Sequence, residues 1–592
     1  MRLYLTTTLG LFSALLGVKA QADPLVDAYL AKQVPISRTG VSANVGPDGA
    51  RSSGAAAGLV IASPSTEDPD YVYTWTRDSA LVFKGITERY IRGEDDSLRG
   101  RIDDFVAAQA TLQGVTSPSG GPNTGGLGEP KFNIDFTAFT GGWGRPQHDG
   151  PALRAIALIN YANHLVDTDN STWATERVWP VIKKDLDYTA KNWNYTGFDL
   201  WEEVATSSFF TSAVQLRALK EGVTLADRLQ QNSAPYVEQV ERVHCFLQSY
   251  WNPEQGFITA NVGYRTGKDA NTILASIHTF DPEAGCDATT FQPCSDKALS
   301  NLKVVVDSFR TEYSINHDIP ADQGVAVGRY TEDVYFGGQP WYLTTSATAE
   351  QLYDALIVWD RQESLEVTPI SQAFFSAFDS TIQPGTYAKG SDTYVTLTNA
   401  VRRFADGFLA TNAKYTPEDG SLSEQYDRDD GRPLSATHLT WSYASLLSAS
   451  AARSGEMPTR SWGAKALVVP GQCVGNIGPT SLVTFKVYAE TTPGENIFIA
   501  GNIGALSGWS SDNAAALSPF EYPIWNVTLP IPVDTYFEYK YLRKDGDSVV
   551  WEADPARRNN SISPDGESKT INDLDTSTIQ TITDAPQSLG QR

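Results

Sequence analysis

The stretch "PALRAIALINYANHLVD", residues 151–167, places Leu153, Ile156, Ala157, Tyr161 and Leu165 three and four residues apart. That spacing is the apolar stripe of an amphipathic helix. Working outward, the same period recurs in "LRGRIDDFVAAQATLQGV" (98–115), "WPVIKKDLDYTAKNWN" (179–194) and "APYVEQVERVHCFLQSYW" (234–251). It continues in "LSNLKVVVDSFRTEYSI" (299–315), "WYLTTSATAEQLYDALIVWDRQ" (341–362) and "YVTLTNAVRRFADGFLATNAKY" (394–415). About a dozen such segments fill 95–455, so an all-α domain is expected there. Long loops rich in Gly, Pro, Trp and acids separate them, as at 116–149 and 317–341. Loops of that length in a compact domain are usually functional, and many helices with decorated loops point to a toroid whose loops build one face.

From about residue 483 the period changes. "SLVTFKVYAE", "ENIFIAGNI", "IWNVTLPI" and "YFEYKYLRK" alternate with period two between short turns, which predicts a small all-β sandwich of about 100 residues. The intended boundaries are a helical domain over 23–462, a short linker over 463–482 without a Ser/Thr tract, and the sandwich over 483–592. A linker this short should hold the two domains close.

The chain has 592 residues, too many for one ordinary domain, with 41% hydrophobic and 11% aromatic content. Its formal charge of −24 repels nucleic acid and anionic membranes and suits a neutral substrate. Residues 1–22, with Arg2, an apolar stretch and Ala20-Gln21-Ala22, read as a signal peptide, so the protein is expected to be secreted. Four cysteines then read as two disulfides. Cys286–Cys294 and Cys245–Cys473 are preferred among the three possible pairings. Asn170, Asn194, Asn526 and Asn559 head N-glycosylation sequons.

Several chemistries drop out. There is no HExxH, and the six histidines lack ligand spacing, so neither a metal nor another cofactor is expected. "GYRTGKD" (263–269) falls short of a P-loop, and no GxSxG is present. Carboxylates among rings remain. "GFDLWEEVATSSFF" (197–210) sets Glu202 and Glu203 behind Asp199 and Trp201. Glycoside hydrolysis needs two carboxyl groups astride one bond, one of them kept protonated by an apolar pocket or by like charge. Asp199 and Glu203 are the expected like charges, and Trp201 the expected wall. The bland reading of these residues alone is a solvated acidic helix end. Glu424 in "GSLSEQYDRDDG" (420–431) is a second candidate acid. "TWTRDS" (74–79) pairs Arg77 with Asp78, usually a structural pair, here flanked by Tyr71, Tyr73 and Trp75 like a sugar clamp. "GGWGRP" (141–146) sets Trp143 between glycines, which admit a ligand or a tight buried turn.

Together "YTWTRDS", "GLGEPKFNIDFTAFTGGWGRPQHDGPALRA", "FDLWEEV", "VGRYTEDVYFGGQPWYL", "SLSEQYD" and "LTWSYASLL" resemble the fungal glucoamylases, in order, from about residue 25 to 465. "GENIFIAGNIGALSGW", "FEYKYLRK" and "VVWEADPARRN" resemble the starch-binding module those enzymes carry. The resemblance implies an (α/α)6 barrel and an inverting exo-hydrolase. Such an enzyme releases β-D-glucose from non-reducing ends of starch, amylopectin and malto-oligosaccharides, cutting α-1,6 links more slowly. It implies Glu202 as general acid and Glu424 as general base. Arg77, Asp78, Arg329 and Asp333 would grip the terminal glucose. Asp199, Leu200 and Glu203 would line the pocket, and Tyr71, Trp75, Trp143, Trp341 and Trp441 would wall it. In the module, Trp509, Glu538, Lys540 and Trp551 match one starch site. The family's second site uses a Tyr where this chain has Pro493, and Tyr522, its other aromatic, stands at a different spacing, so weaker two-site capture of starch granules is expected. A monomer without nucleic-acid or membrane partners is expected. A starch-binding protein without activity would not need Glu202 and Glu424. A relative acting on trehalose or dextran would not need the starch module, and a uronate lyase would need a basic patch.

Overall fold

The computed structural model describes residues 23–469 except 263, and 480–574 except 493, 512–513, 533–535, 546–547, 553–557 and 563–568. The expected signal peptide (residues 1–22), Cys473 and Pro493 lie outside the described residues.

Among the described residues, twelve helices have eight residues or more. They are α1 (Pro24–Ala43), α2 (Thr76–Ile91), α3 (Leu98–Leu112), α4 (Asp149–Asp167), α5 (Trp179–Asn192) and α6 (Phe209–Arg228), then α7 (Ala234–Gln248), α8 (Asn271–His278), α9 (Asp296–Arg310), α10 (Tyr342–Arg361), α11 (Asp392–Tyr415) and α12 (Thr440–Arg453). The even-numbered helices pack in sequence, α2 on α4, α4 on α6, α6 on α8, α8 on α10, α10 on α12, and α12 returns to α2. That closed ring of six, with the odd-numbered helices outside it, is an (α/α)6 barrel.

The two layers differ in burial. α9 is amphipathic as its sequence predicts, burying Leu299, Leu302, Val305, Val306 and Phe309 on one side. α10 buries every residue from Tyr342 to Leu356, including Thr344, Thr345, Ser346, Thr348 and Gln351. A helix enclosed by ring neighbours and outer helices has no face left for solvent, so its small polar residues satisfy themselves internally. The Thr348 hydroxyl donates to the Thr344 carbonyl at 2.8 Å, and the Thr344 hydroxyl donates to the Val327 carbonyl at 2.7 Å.

Each inner helix is entered from a loop at the same end of the barrel, so six helix N-termini with their partial positive charge face one mouth. Past the last helix the chain stays attached. Trp462 Nε1 donates to the Thr279 carbonyl at 2.9 Å, and the Gly463 and Ala464 amides donate to Asp281 Oδ2 at 3.1 and 3.0 Å. The first residues of the predicted linker therefore belong to the packed domain. Cys286 and Cys294 form the predicted disulfide. Cys245 is disulfide-bonded, and its predicted partner Cys473 is outside the described residues.

The C-terminal strands are β1 (Thr480–Tyr488), β2 (Asn496–Gly501), β3 (Ala515–Ala516), β4 (Ser518–Glu521), β5 (Ile524–Pro532), β6 (Tyr536–Asp545), β7 (Ser548–Trp551), β8 (Arg558–Ser561) and β9 (Lys569–Asp573). One sheet runs β4-β5-β1-β9, with β1 and β9 parallel. The other runs β3-β2-β6-β7, and β8 also pairs with β6. Val483, Phe485 and Val487 from one sheet meet Phe537, Tyr539 and Tyr541 from the other in a single core, the predicted alternation.

Candidate active site

The mouth of the barrel holds a cavity of about 540 Å³. Five of the six loops that enter the inner helices line it, through Tyr71, Trp143, Glu202, Arg329 and Glu424. The sixth loop, between α7 and α8, stands behind: its Asn261 Nδ2 donates to Asp199 Oδ2 at 3.1 Å.

Trp75, Arg77 and Asp78 start α2 and are buried. Arg77 is a three-way fork. Its Nη1 donates to Gln147 Oε1 and to Asp149 Oδ2, each at 2.9 Å, and its Nη2 donates to Glu202 Oε1 at 3.0 Å. Burial pushes Asp78 up to about 6, against the pull of Arg77.

Glu202 stands at the tip of a hairpin, Gly197–Phe198 pairing with Ala205–Thr206. Asp199 makes that tip: its Oδ1 accepts from the Glu203 and Val204 amides at 3.0 and 3.2 Å, while its carbonyl accepts from the Glu202 amide at 2.9 Å. The turn puts Glu202 in the left-handed region, φ 68°. Gly144 must be glycine here, because a Cβ would lie 2.6 Å from the Glu202 carbonyl oxygen. Four N–H groups converge on the Glu202 carboxyl: Trp75 Nε1 (2.9 Å), Arg77 Nη2 (3.0 Å) and Gln147 Nε2 (3.0 Å) to Oε1, and Trp143 Nε1 (2.8 Å) to Oε2.

Glu203 turns away from its neighbour. Its carboxyl takes Arg329 Nη2 at 2.7 Å, together with Arg265 and the Tyr330 hydroxyl. Arg329 is fixed in turn by Asp333 at 2.6 and 2.8 Å. Glu424, across the cavity, is 2% exposed and accepts from the Ser435 hydroxyl. Burial pushes it up to about 7, while the Ser435 hydrogen bond and Arg329 pull it down.

On the sandwich, Trp509 and Trp551 are half-buried with ring centroids 6.4 Å apart. Lys540 lies on the same outward face of β6 as Glu538, and its Nζ donates to the Glu552 carbonyl at 3.1 Å. Tyr522 is 52% exposed, away from that pair in the chain.

A family model for glycosyl hydrolases family 15 matches residues 35–451, and one for the starch binding domain matches 480–571. The chain belongs to glycosyl hydrolase family 15. The family-15 chain is 55% identical over 558 residues to Glucoamylase-1 of Schizophyllum commune, covering 93% of this chain and 96% of that one. It is 48% identical over 574 residues to the glucoamylase of Neurospora crassa, covering 90% and 91%. The glucoamylase structure from Hypocrea jecorina superposes with a TM-score of 0.74 at 46% identity, covering 92% of this chain and all, 100%, of that one.

The family-15 cavity gathers all of the sequence-predicted catalytic-domain residues except Asp199 and Asp333. Those two require correction from sugar contacts to supports: Asp199 is fully buried building the Glu202 hairpin, and Asp333 braces Arg329. The expected environment of Glu202 is also corrected. Trp75 and Trp143 are its wall, whereas Trp201 points to Asp269, with Nε1 donating at 2.9 Å. Gln147, Asp149, Lys131 and Tyr335 were missed. The first two stand in "GRPQHDG", beside the Trp143 motif, where an amide and an acid directly following that motif were the available signal. Tyr335, whose hydroxyl is 2.8 Å from that of Tyr71, carried none.

Proposed function

We propose that this family-15 hydrolase, a glucoamylase, cleaves α-1,4-glucan chains with Glu202 as general acid and Glu424 as general base. The supporting observation is one cavity, ringed by loops, that holds both carboxyls and the Arg77–Asp78 pair. A cavity walled by five loops admits a chain end and bars a through-running chain, which is exo-action. The terminal glucose sits against Trp441 and Trp341, with Arg77 and Asp78 taking its hydroxyls. Trp143 holds the Glu202 carboxyl toward the leaving oxygen. Glu424 activates a water on the opposite face of the ring, so the released glucose is the β-anomer. Glu203 and Arg329 bound the pocket beyond that first sugar.

The indoles of Trp509 and Trp551 stack on glucose rings of granular starch, with Lys540 and Glu538 beside them. Secretion through residues 1–22, glycans on Asn170, Asn194, Asn526 and Asn559, slower α-1,6 cleavage, a monomeric state, and the absence of nucleic-acid or membrane partners complete the proposal. No helix among the described residues is long and apolar enough to cross a membrane.

The reaction class is tested by proton NMR of the first product from soluble starch. β-Glucose alone supports an inverting exo-enzyme. α-Configured oligosaccharides would overturn that reading.

A further inference from the structure

The barrel axis carries a second cavity, of about 190 Å³, at the end opposite the catalytic mouth. Its walls are the C-terminal halves of α2 and α8, the length of α12, the middle of α10, and Val34, Arg38 and Val41 of the outer helix α1. Asp354 is thirteen residues along α10 from Trp341, roughly 20 Å at the helical rise. Trp441 lines both cavities.

The rim of this second cavity is an ion-pair network, Arg38–Glu94 at 3.0 Å and Arg92–Glu456 at 3.1 Å. Below it the walls are apolar, with Leu81, Leu274, Ile277 and Phe280. The floor is polar: Lys84, Glu350, Asp354, His278 and Ser448. Ser448 donates to Glu350. The other floor groups lack partners among the described residues. Both ring nitrogens of His278 are buried and unbonded, Asp354 is 3% exposed without a hydrogen bond or ion pair, and the Lys84 ammonium makes neither. A buried polar group without a partner is costly, so the unbonded ring nitrogens of His278, with the Asp354 carboxyl and the half-buried Lys84 ammonium facing the same hollow, call for an occupant.

The chemistry of the floor narrows that occupant. Burial lowers Lys84 and His278, lifts Glu350 to about 7 and lifts Asp354. An anion would face two carboxyl groups, and a cation would face Lys84. A hydroxyl satisfies both, because it donates to a carboxylate and accepts from an ammonium. The volume lies below the roughly 300 Å³ of the smallest drug-sized pockets, so an oligosaccharide does not fit.

We propose that this cavity binds a small neutral polyhydroxy compound no larger than one monosaccharide, its hydroxyls bridging Lys84, Asp354 and Glu350. The proposal is independent of the roles of Glu202 and Glu424.

The test is equilibrium dialysis of the full chain with labelled D-glucose, and with labelled glycerol in parallel. Acarbose is added to saturate the catalytic pocket and the starch module, since it is too large for the second cavity. The expected result is one glucose or glycerol bound per chain. Lys84→Met should weaken that binding at least tenfold and leave the turnover of soluble starch unchanged. Neither compound bound, or equal binding by Lys84→Met, overturns the proposal. Should Lys84→Met fail to fold, Asp354→Asn takes its place. A crystal of the wild type grown with D-glucose gives an independent answer: sugar between Lys84 and Asp354 supports the site, and water alone overturns it.

Discussion

Trp143 Nε1 donates to Glu202 Oε2 at 2.8 Å, so the ring that walls the cavity also aims the carboxyl. Trp143→Phe keeps a ring and removes the donor. A hydrogen bond to a charged group is worth about 1.5–3 kcal/mol, so kcat should fall roughly 10- to 100-fold. KM for maltotriose should move little. A variant with raised KM and intact kcat would reduce Trp143 to a wall.

Arg77 neutralises Asp149, which is 0% exposed. Arg77→Met leaves that carboxylate buried and unpaired. Removing one partner of a buried pair costs about 3–5 kcal/mol. Urea denaturation should show a loss of that size, alongside loss of starch hydrolysis. Full stability with lost activity would mean that Asp149 finds another partner.

Glu424 is 2% exposed, and burial lifts its carboxyl from 4.5 to about 7. The folded chain thus keeps a proton over a range in which the unfolded chain has released it. The stability tied to that proton is complete below about 4.5 and is lost as the pH rises through about 7. Glu424→Gln carries no such loss. Against wild type it should be near neutral at pH 4 and more stable by about 1–3 kcal/mol at pH 8. Calorimetry at the two pH values checks this, and an equal difference at both would contradict it.

On the sandwich, Trp551 and Trp509 share one surface. Trp551→Ala should weaken adsorption to granular starch about tenfold or more, as loss of an aromatic anchor does. Turnover of soluble maltotriose should not change. Unchanged adsorption would assign Trp551 to the sandwich core.

Much of this was legible in the sequence where the information is local. Helical periodicity located the barrel helices, and alternation located the sandwich. Glu202 and Glu203 of "DLWEE" and Trp75, Arg77 and Asp78 of "TWTRDS" line one cavity because each motif sits beside an inner-helix entrance. What escaped depends on loops that meet only in three dimensions. Glu202 and Glu203 look like one repelling pair in sequence. The hairpin built by Asp199 sends them to separate partners, Trp143 and Arg77 for one, Arg329 and Arg265 for the other. Lys131 shows the same limit: its Nζ lies 3.7 Å from the centre of the Trp143 ring and 4.0 Å from that of Tyr73, two rings that come from different loops. The buried polar face of α10 left no mark on periodicity, since Thr and Ser in an enclosed helix look like Thr and Ser on a wet one.

The roles of the two carboxyls are the central claim. The raised value of Glu424 and the four donors on Glu202 favour a second reading with those roles exchanged. α-D-Glucosyl fluoride separates the two, because fluoride leaves without a proton while water must still be activated. We would measure Glu202→Gln and Glu424→Gln on this substrate and on soluble starch. The account predicts that Glu202→Gln loses starch hydrolysis by about 10²–10⁴-fold, the usual weight of a general acid, and keeps most of its rate on the fluoride. Glu424→Gln should lose both. A Glu424→Gln enzyme that hydrolyses the fluoride while Glu202→Gln does not would contradict the account and exchange the roles.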